Sequence, residues 1–233
     1  MKRTIALLLT ALLVLGCAPA LAEYGEEITF LGLPWGETTL EDFYQTIAQN
    51  GLTDEENAED FAENQLSDSW AELYYLPDDL NVFNDFAYEY LYLDDLAYDE
   101  RFKGIADNYY LDDDDFSDVT VAGYIPFLVE FFLYHGFENG QIDPEKKEFL
   151  SVTVSYLDND HAGEMIQNLN DQYGRFDYRK TGEGGTALYI WYGANNTAVV
   201  LSTEGDYVLK LFYTHTDLGA RIPAMVAAAE GNE

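Results

Sequence analysis

Basic residues are scarce in this chain of 233 residues: 11 Lys and Arg stand against 44 Asp and Glu, a formal net charge of −33. Such a chain is repelled by phosphate backbones and anionic lipid heads, which excludes nucleic acid as a partner. Cysteine is scarcer still. Cys17 is the only one, so a disulfide framework, a thiolate metal centre and a catalytic thiol are all excluded from the chain that follows it. No apolar run reaches the ~20 residues that a membrane-spanning helix needs. Motifs of chemistry are missing too: the chain has no Gly-x-Ser-x-Gly, Ser-x-x-Lys, His-Glu-x-x-His or Gly-rich phosphate loop.

Aromatic residues are abundant, with 19 Tyr and 14 Phe. They supply enough buried area per residue to offset chain entropy despite the charge, so a folded acidic protein is expected.

The start of the chain states where it works. Lys2 and Arg3 precede an apolar stretch from Ile5 to Leu15, and Ala20-Leu21-Ala22 follows before Glu23. This is the pattern of a secretory signal peptide over residues 1–22. Removing it takes away two bases and no acid, leaving the mature chain two charges more negative. Val14-Leu15-Gly16-Cys17 also fits a bacterial lipoprotein signal, in which Cys17 is acylated and becomes the N-terminus. Either route predicts a secreted or cell-surface protein, touching a membrane only through that anchor.

The acid is unevenly spread. Thr53 to Asp118 holds 22 acids against Arg101 and Lys103, whereas Val119 to Glu233 holds 16 against 7 bases. The domain reading follows: a strand-helix unit at 23–52, an acidic Tyr-rich insertion at 53–118, and an antiparallel sheet with helices at 119–233. In the first unit, Ile28 to Leu31 reads as a strand, and Thr38 with Glu41 as a capping box opening a helix. Leu40, Phe43, Tyr44 and Ile47 form its apolar stripe, and Asn50-Gly51 its stop. The insertion reads as mostly helical: 54–66 carries a helical face, and Phe86 to Leu93 alternates like a strand but also fits a helix beginning after Pro77-Asp78, which the flanking Asp residues favour. Beyond it, strands are expected at Val119–Tyr124, Phe127–Tyr134 and Phe149–Tyr156, with breaks at Asn139-Gly140 and Asp143-Pro144. A helix follows from about Asp160 to Tyr173, capped by Gly174. Strands at Ala187–Tyr192, Thr197–Ser202 and Tyr207–Tyr213 come next, and a small-residue helix at Leu218–Ala229 closes the chain.

This order predicts an α+β fold, an antiparallel sheet with helices packed on one face. The six late strands, separated by one helix, also admit two three-stranded halves, and Ile28-Thr29-Phe30-Leu31-Gly32 is faintly echoed by Val119-Thr120-Val121-Ala122-Gly123.

Phe30-Leu31-Gly32-Leu33-Pro34-Trp35-Gly36 ahead of a capped helix resembles the F-x-G-[IL]-P-W-G segment of uncharacterised secreted or lipid-anchored bacterial proteins. Tyr173-Gly174, Leu188-Tyr189-Ile190-Trp191 and Thr197-Ala198-Val199-Val200-Leu201 are similar to their C-terminal half. The resemblance covers about 28–51 and 119–215. It implies a compartment and an α+β fold, and no activity.

Candidate chemistry is sparse. Asp112, Asp113, Asp114, Asp115 and Asp118 form the densest carboxylate cluster, suited to a hard cation such as Ca2+, yet the spacing lacks the Gly and distal Glu of an EF-hand loop. A solvated acidic loop is the plainer reading. Asp158-Asn159-Asp160 begins a similar pattern and fails at Ala162. His135, His161 and His215 have no partner at i+4, and read as satisfied polar residues. Gly182-Glu183-Gly184-Gly185 reads as a hairpin connection. Paired carboxylates beside Trp35, Trp70 or Trp191 would suit a glycosidase, though core packing explains Trp35 and Trp191 as well. The tyrosines of the acidic segment (Tyr74, Tyr75, Tyr88, Tyr90, Tyr92, Tyr98, Tyr109, Tyr110) would suit a basic partner protein or peptide. The reading favoured on these grounds is an extracytoplasmic binding protein without catalysis. A Ca2+-stabilised structural domain and a secreted hydrolase are the alternatives.

Overall fold

A computed structural model describes residues 25–53, 105–112, 119–157, 160–182, 187–204 and 208–230. The expected leader with Cys17, most of the acidic segment with Trp70, and Asp113, Asp114, Asp115 and Asp118 lie outside them.

In chain order the elements are β1 (Gly36–Thr38), α1 (Leu40–Gln49), β2 (Ala106–Asp112), β3 (Leu128–Glu138), β4 (Gln141–Tyr156), α2 (Ala162–Tyr173), β5 (Tyr178–Thr181), β6 (Ala187–Tyr192), β7 (Thr197–Glu204), β8 (Val208–His215) and α3 (Leu218–Glu230). They build one 8-stranded antiparallel sheet in the order β2-β3-β4-β8-β7-β6-β5, with β1 beside the first half of β4. Two meanders, β2-β3-β4 and β5-β6-β7-β8, meet where their last strands pair: Val152 stands opposite Tyr213 and Val154 opposite Leu211. The α+β class is therefore present, but the strands fall into groups of three and four rather than two halves of three, since Ala106–Asp112 and Tyr178–Thr181 are strands and 119–124 is not.

The helices do not share one face. Phe43, Tyr44 and Ile47 of α1 and Met165 and Leu169 of α2 join Phe131, Phe149, Val152, Trp191, Leu201 and Tyr213 in one core. Leu218, Ile222 and Met225 of α3 pack with Phe132, Tyr134, Leu150, Ile190, Val200 and Phe212 on the opposite face. Successive strand residues point to opposite faces, so covering both makes Val199-Val200-Leu201 continuously apolar. The expectation of a single covered face is corrected on this ground.

Local differences have local causes. The helix cap is Thr39, one residue later than expected: its hydroxyl accepts from the Asp42 amide at 3.1 Å and donates to the Asp42 carboxylate at 2.8 Å. Thr38 is spent in β1. Neither 28–31 nor 119–124 is a strand: each runs irregularly into a turn, because Leu31-Gly32 and Ala122-Gly123 all take positive φ. Asn139-Gly140, expected only as a break, turns β3 directly into β4 as a two-residue hairpin with φ of 53° and 77°, so both strands run further than expected. Asp143-Pro144 does not end the strand. Opposite His135 and Gly136 stand Lys147 and Asp143, so the proline falls in a bulge where no ladder amide is needed. Residues 106–112, expected within a mostly helical insertion, form the edge strand β2, with Tyr109 opposite Phe131.

Candidate functional site

Two turns of the same shape face a common cavity. In the first, the Leu33 amide donates to the Phe30 carbonyl at 2.9 Å, with Leu31 and Gly32 at φ of 49° and 83°. In the second, the Tyr124 amide donates to the Val121 carbonyl at 3.2 Å, with Ala122 and Gly123 at 52° and 93°. Positive φ at both central residues is the type I′ geometry, which costs an alanine or leucine more than it costs glycine. The faint echo between the two segments thus coincides with a shared turn.

Each turn is held from outside. The first belongs to a strip tied to the β6–β7 connection: the Ala194 amide donates to Glu26, and the Ile28 amide to the Thr197 hydroxyl at 2.9 Å. Trp35 Nε1 donates to the Ile28 carbonyl at 2.8 Å, and its ring stacks on Phe149 at 4.8 Å. Gly193 lets this strip lie flat, since a Cβ there would sit 2.6 Å from Thr197 Oγ1 and 2.7 Å from Ile28 Cγ1. The second turn is gripped by Asn168 of α2, whose amide donates to the Ala122 carbonyl at 2.9 Å, and by Tyr156 of β4, whose hydroxyl donates to the Val121 carbonyl at 2.8 Å.

Between the turns lies a cavity of about 860 Å³. Thr29, Thr120, Asn168, Gln172, Tyr173, Tyr192 and Tyr213 line it with neutral hydrogen-bonding groups, and Glu26 and Glu27 stand exposed among the lining residues. None of the lining residues is Lys, Arg, His or Cys. Tyr173 accepts from Gln172 Nε2 at 2.9 Å and is hydrogen-bonded to Tyr213. Burial, with the neighbouring Tyr173 and Tyr156 hydroxyls, pushes the Tyr213 phenol well up, and burial raises Tyr173 too. Both stay neutral at physiological pH and offer hydrogen bonds rather than a base. Gln172, Tyr192, Thr29 and Thr120 carry no sequence signal for this role, since they come from four separate chain segments that only the fold brings together.

The residues singled out by sequence fall elsewhere. Of the Asp cluster only the backbone of Asp112 is described, at the end of β2 opposite Leu128. No group of three or more His, Cys, Asp or Glu able to hold a metal occurs among the described residues. His135 is buried in β3 with Nε2 3.4 Å from Asp107, whose other oxygen pairs with Lys147. Burial alone would raise the Asp107 carboxyl, but the hydrogen bonds and charges of His135 and Lys147 outweigh it and hold the carboxyl low. His161 precedes α2 and stacks on Tyr124 at 4.4 Å, while His215 lies edge-on to Trp35. Trp191 is core: its indole donates to the Gly174 carbonyl at 3.0 Å. Tyr109, read as part of an interaction surface, is instead buried edge-on to Tyr44. The other tyrosines of that surface either lie outside the described residues or, like Tyr110, have only their backbone placed.

No helix among the described residues is long and apolar enough to cross a membrane. No protein-family profile matches the chain, and neither a curated protein nor a solved structure matches it.

Proposed function

We propose that this chain is an extracytoplasmic binding protein without catalysis of its own, and that the cavity between the two turns is its ligand site. The observation carrying this reading is the lining: neutral amides, hydroxyls and phenols, two carboxylates and no cation. That chemistry suits a neutral or cationic polar ligand rich in hydroxyls or amines, and opposes phosphates and carboxylates. Burial keeps the Tyr173 and Tyr213 phenols protonated at neutral pH, so they offer hydrogen bonds to a ligand. Export is supported by the leader sequence, and a mature mass starting at Glu23 would agree with it. Acylated Cys17 would place the same protein on a lipid anchor. The large negative charge favours a basic protein or peptide as macromolecular partner.

The test is thermal unfolding of the mature chain with neutral oligosaccharides, polyamines and polyanions in separate arms. A saturating neutral or cationic ligand is expected to raise Tm, since at a hundredfold excess over Kd it stabilises by about 2.7 kcal/mol. Gln172→Ala should weaken that shift. Stabilisation by polyanions alone, or by no class, removes the reading.

A further inference from the structure

We propose that a second, apolar site formed by the 124–127 segment and the start of α2 docks a basic segment of a partner protein through one large apolar side chain. This site is separate from the turn-bounded cavity and stands whether or not that cavity binds a ligand.

Four large apolar side chains are exposed among the described residues, and three of them meet here: Ile125, Phe127 and Leu157, at 59%, 39% and 67% exposure. With Tyr124, His161 and Met165 they line a hollow of about 330 Å³. Scattered exposed leucines need no explanation, but a converging set around a hollow marks an interaction surface. The hollow is also fixed in shape. The Phe127 amide donates to the Ser155 carbonyl at 2.9 Å, Tyr124 is locked in the turn by two backbone bonds to Val121, and Pro126 restricts the link between them. The Tyr124 ring stacks on His161 at 4.4 Å, and its hydroxyl donates to Glu164. A site already in its binding shape loses little freedom when occupied.

Charge identifies the occupant. Asp160 and Glu164 are exposed beside the hollow, none of the residues lining it is Lys or Arg, and the whole chain carries −33. A second copy of the chain would bring the same charge to the contact, and an anionic lipid surface would be repelled likewise. A segment pairing Lys or Arg with one aromatic or branched aliphatic residue satisfies both the apolar hollow and its acidic rim.

The experiment measures fluorescence anisotropy of a labelled synthetic peptide with one Trp flanked by lysines, titrated with the mature chain. A Trp peptide with glutamates in place of the lysines, and a lysine peptide without Trp, serve as comparisons. The Lys–Trp peptide is expected to bind and both comparisons to bind far more weakly. Ile125→Ser with Leu157→Ser should weaken binding at least about tenfold, and Glu164→Gln or added salt should weaken it further. Both serine positions are more than half exposed, so an unchanged circular dichroism spectrum and Tm should accompany the loss. Equal binding by wild type and double variant, or no binding of the Lys–Trp peptide, would overturn the proposal. So would a wild-type dimer that the double variant converts to monomer, which would assign the surface to a second copy. Binding to neutral phosphatidylcholine vesicles that the same variant abolishes would assign it to lipid, with the same consequence.

Discussion

Arg221 and Glu148, 73 residues apart, form a two-pronged ion pair that ties α3 to β4: Nη1 lies 2.8 Å from Oε2 and Nη2 2.6 Å from Oε1. Nη2 also donates to the His135 carbonyl at 3.3 Å. Both side chains are about four-fifths buried, so removing one leaves the other charge without its partner. Arg221→Ala is therefore expected to destabilise by about 3 kcal/mol. Replacing both by apolar residues of similar size should cost less. Urea unfolding of the two variants decides it; equal losses for the single and the double variant would refute the mechanism.

Gly193→Ala places a methyl 2.6 Å from Thr197 Oγ1 and 2.9 Å from the Glu26 carbonyl. The strip carrying Ile28 must then lift from β7, at a cost of about 2 kcal/mol. Glu26 and Ile28 also line the cavity, so affinity for any ligand found there should fall in the same variant. Urea midpoints and ligand titration read the two effects separately.

Asp107 sets an acid limit. Its carboxyl is held below the ordinary value by His135 and Lys147 despite burial, so folding favours the ionised form. Stability from this group is complete above the unfolded value near 3.8, and is lost as pH falls through the folded pKa. The stability difference between wild type and Asp107→Asn should be constant at neutral pH and shrink below about pH 4. Denaturant midpoints across that range test it, because the general repulsion among the other acids acts on both proteins alike.

The alkaline limit has the opposite sign. Burial pushes Tyr134 up to about 12, and pushes Tyr156 and Tyr213 well up. A raised folded pKa contributes stability that is complete below the unfolded phenol value, about 10, and that is lost as pH rises through the folded value. Phenolate absorbance should therefore show exposed tyrosines ionising reversibly near their normal value. The buried set should ionise only together with loss of circular dichroism.

Salt should act through screening. At matched ionic strength, NaCl, MgCl2 and CaCl2 are expected to raise Tm equally, by relaxing repulsion among 44 acids. A rise specific to CaCl2, removed by neutralising Asp112 to Asp115, would instead assign Ca2+ to the cluster that includes Asp118.

Where local chemistry decides the structure, the sequence was sufficient. Gly174 stops α2, Asn139-Gly140 interrupts the chain between β3 and β4, and Phe43, Tyr44 and Ile47 recur at helical spacing on the buried side of α1. The regular core strands β6, β7 and β8 were legible for the same reason, in their dense β-branched and aromatic runs. Leu31-Gly32 and Ala122-Gly123 misled because apolar residues conceal left-handed turns that are stabilised by Asn168, Tyr156 and the Thr197 hydroxyl from far along the chain. β2 misled because acidic composition outweighed the alternation of Asp107, Tyr109 and Leu111, which acquires meaning only beside β3.

The sequence by itself thus determined a strongly negative chain, its periodic helices and its Gly-marked turns. Only the tertiary structure decided that both sheet faces are covered, that two turns bound one cavity, and that Ile125, Phe127 and Leu157 converge. Turns and periodicity depend on neighbours a few residues away. Faces, cavities and patches depend on which distant segments exclude water together, and residue order alone does not express that.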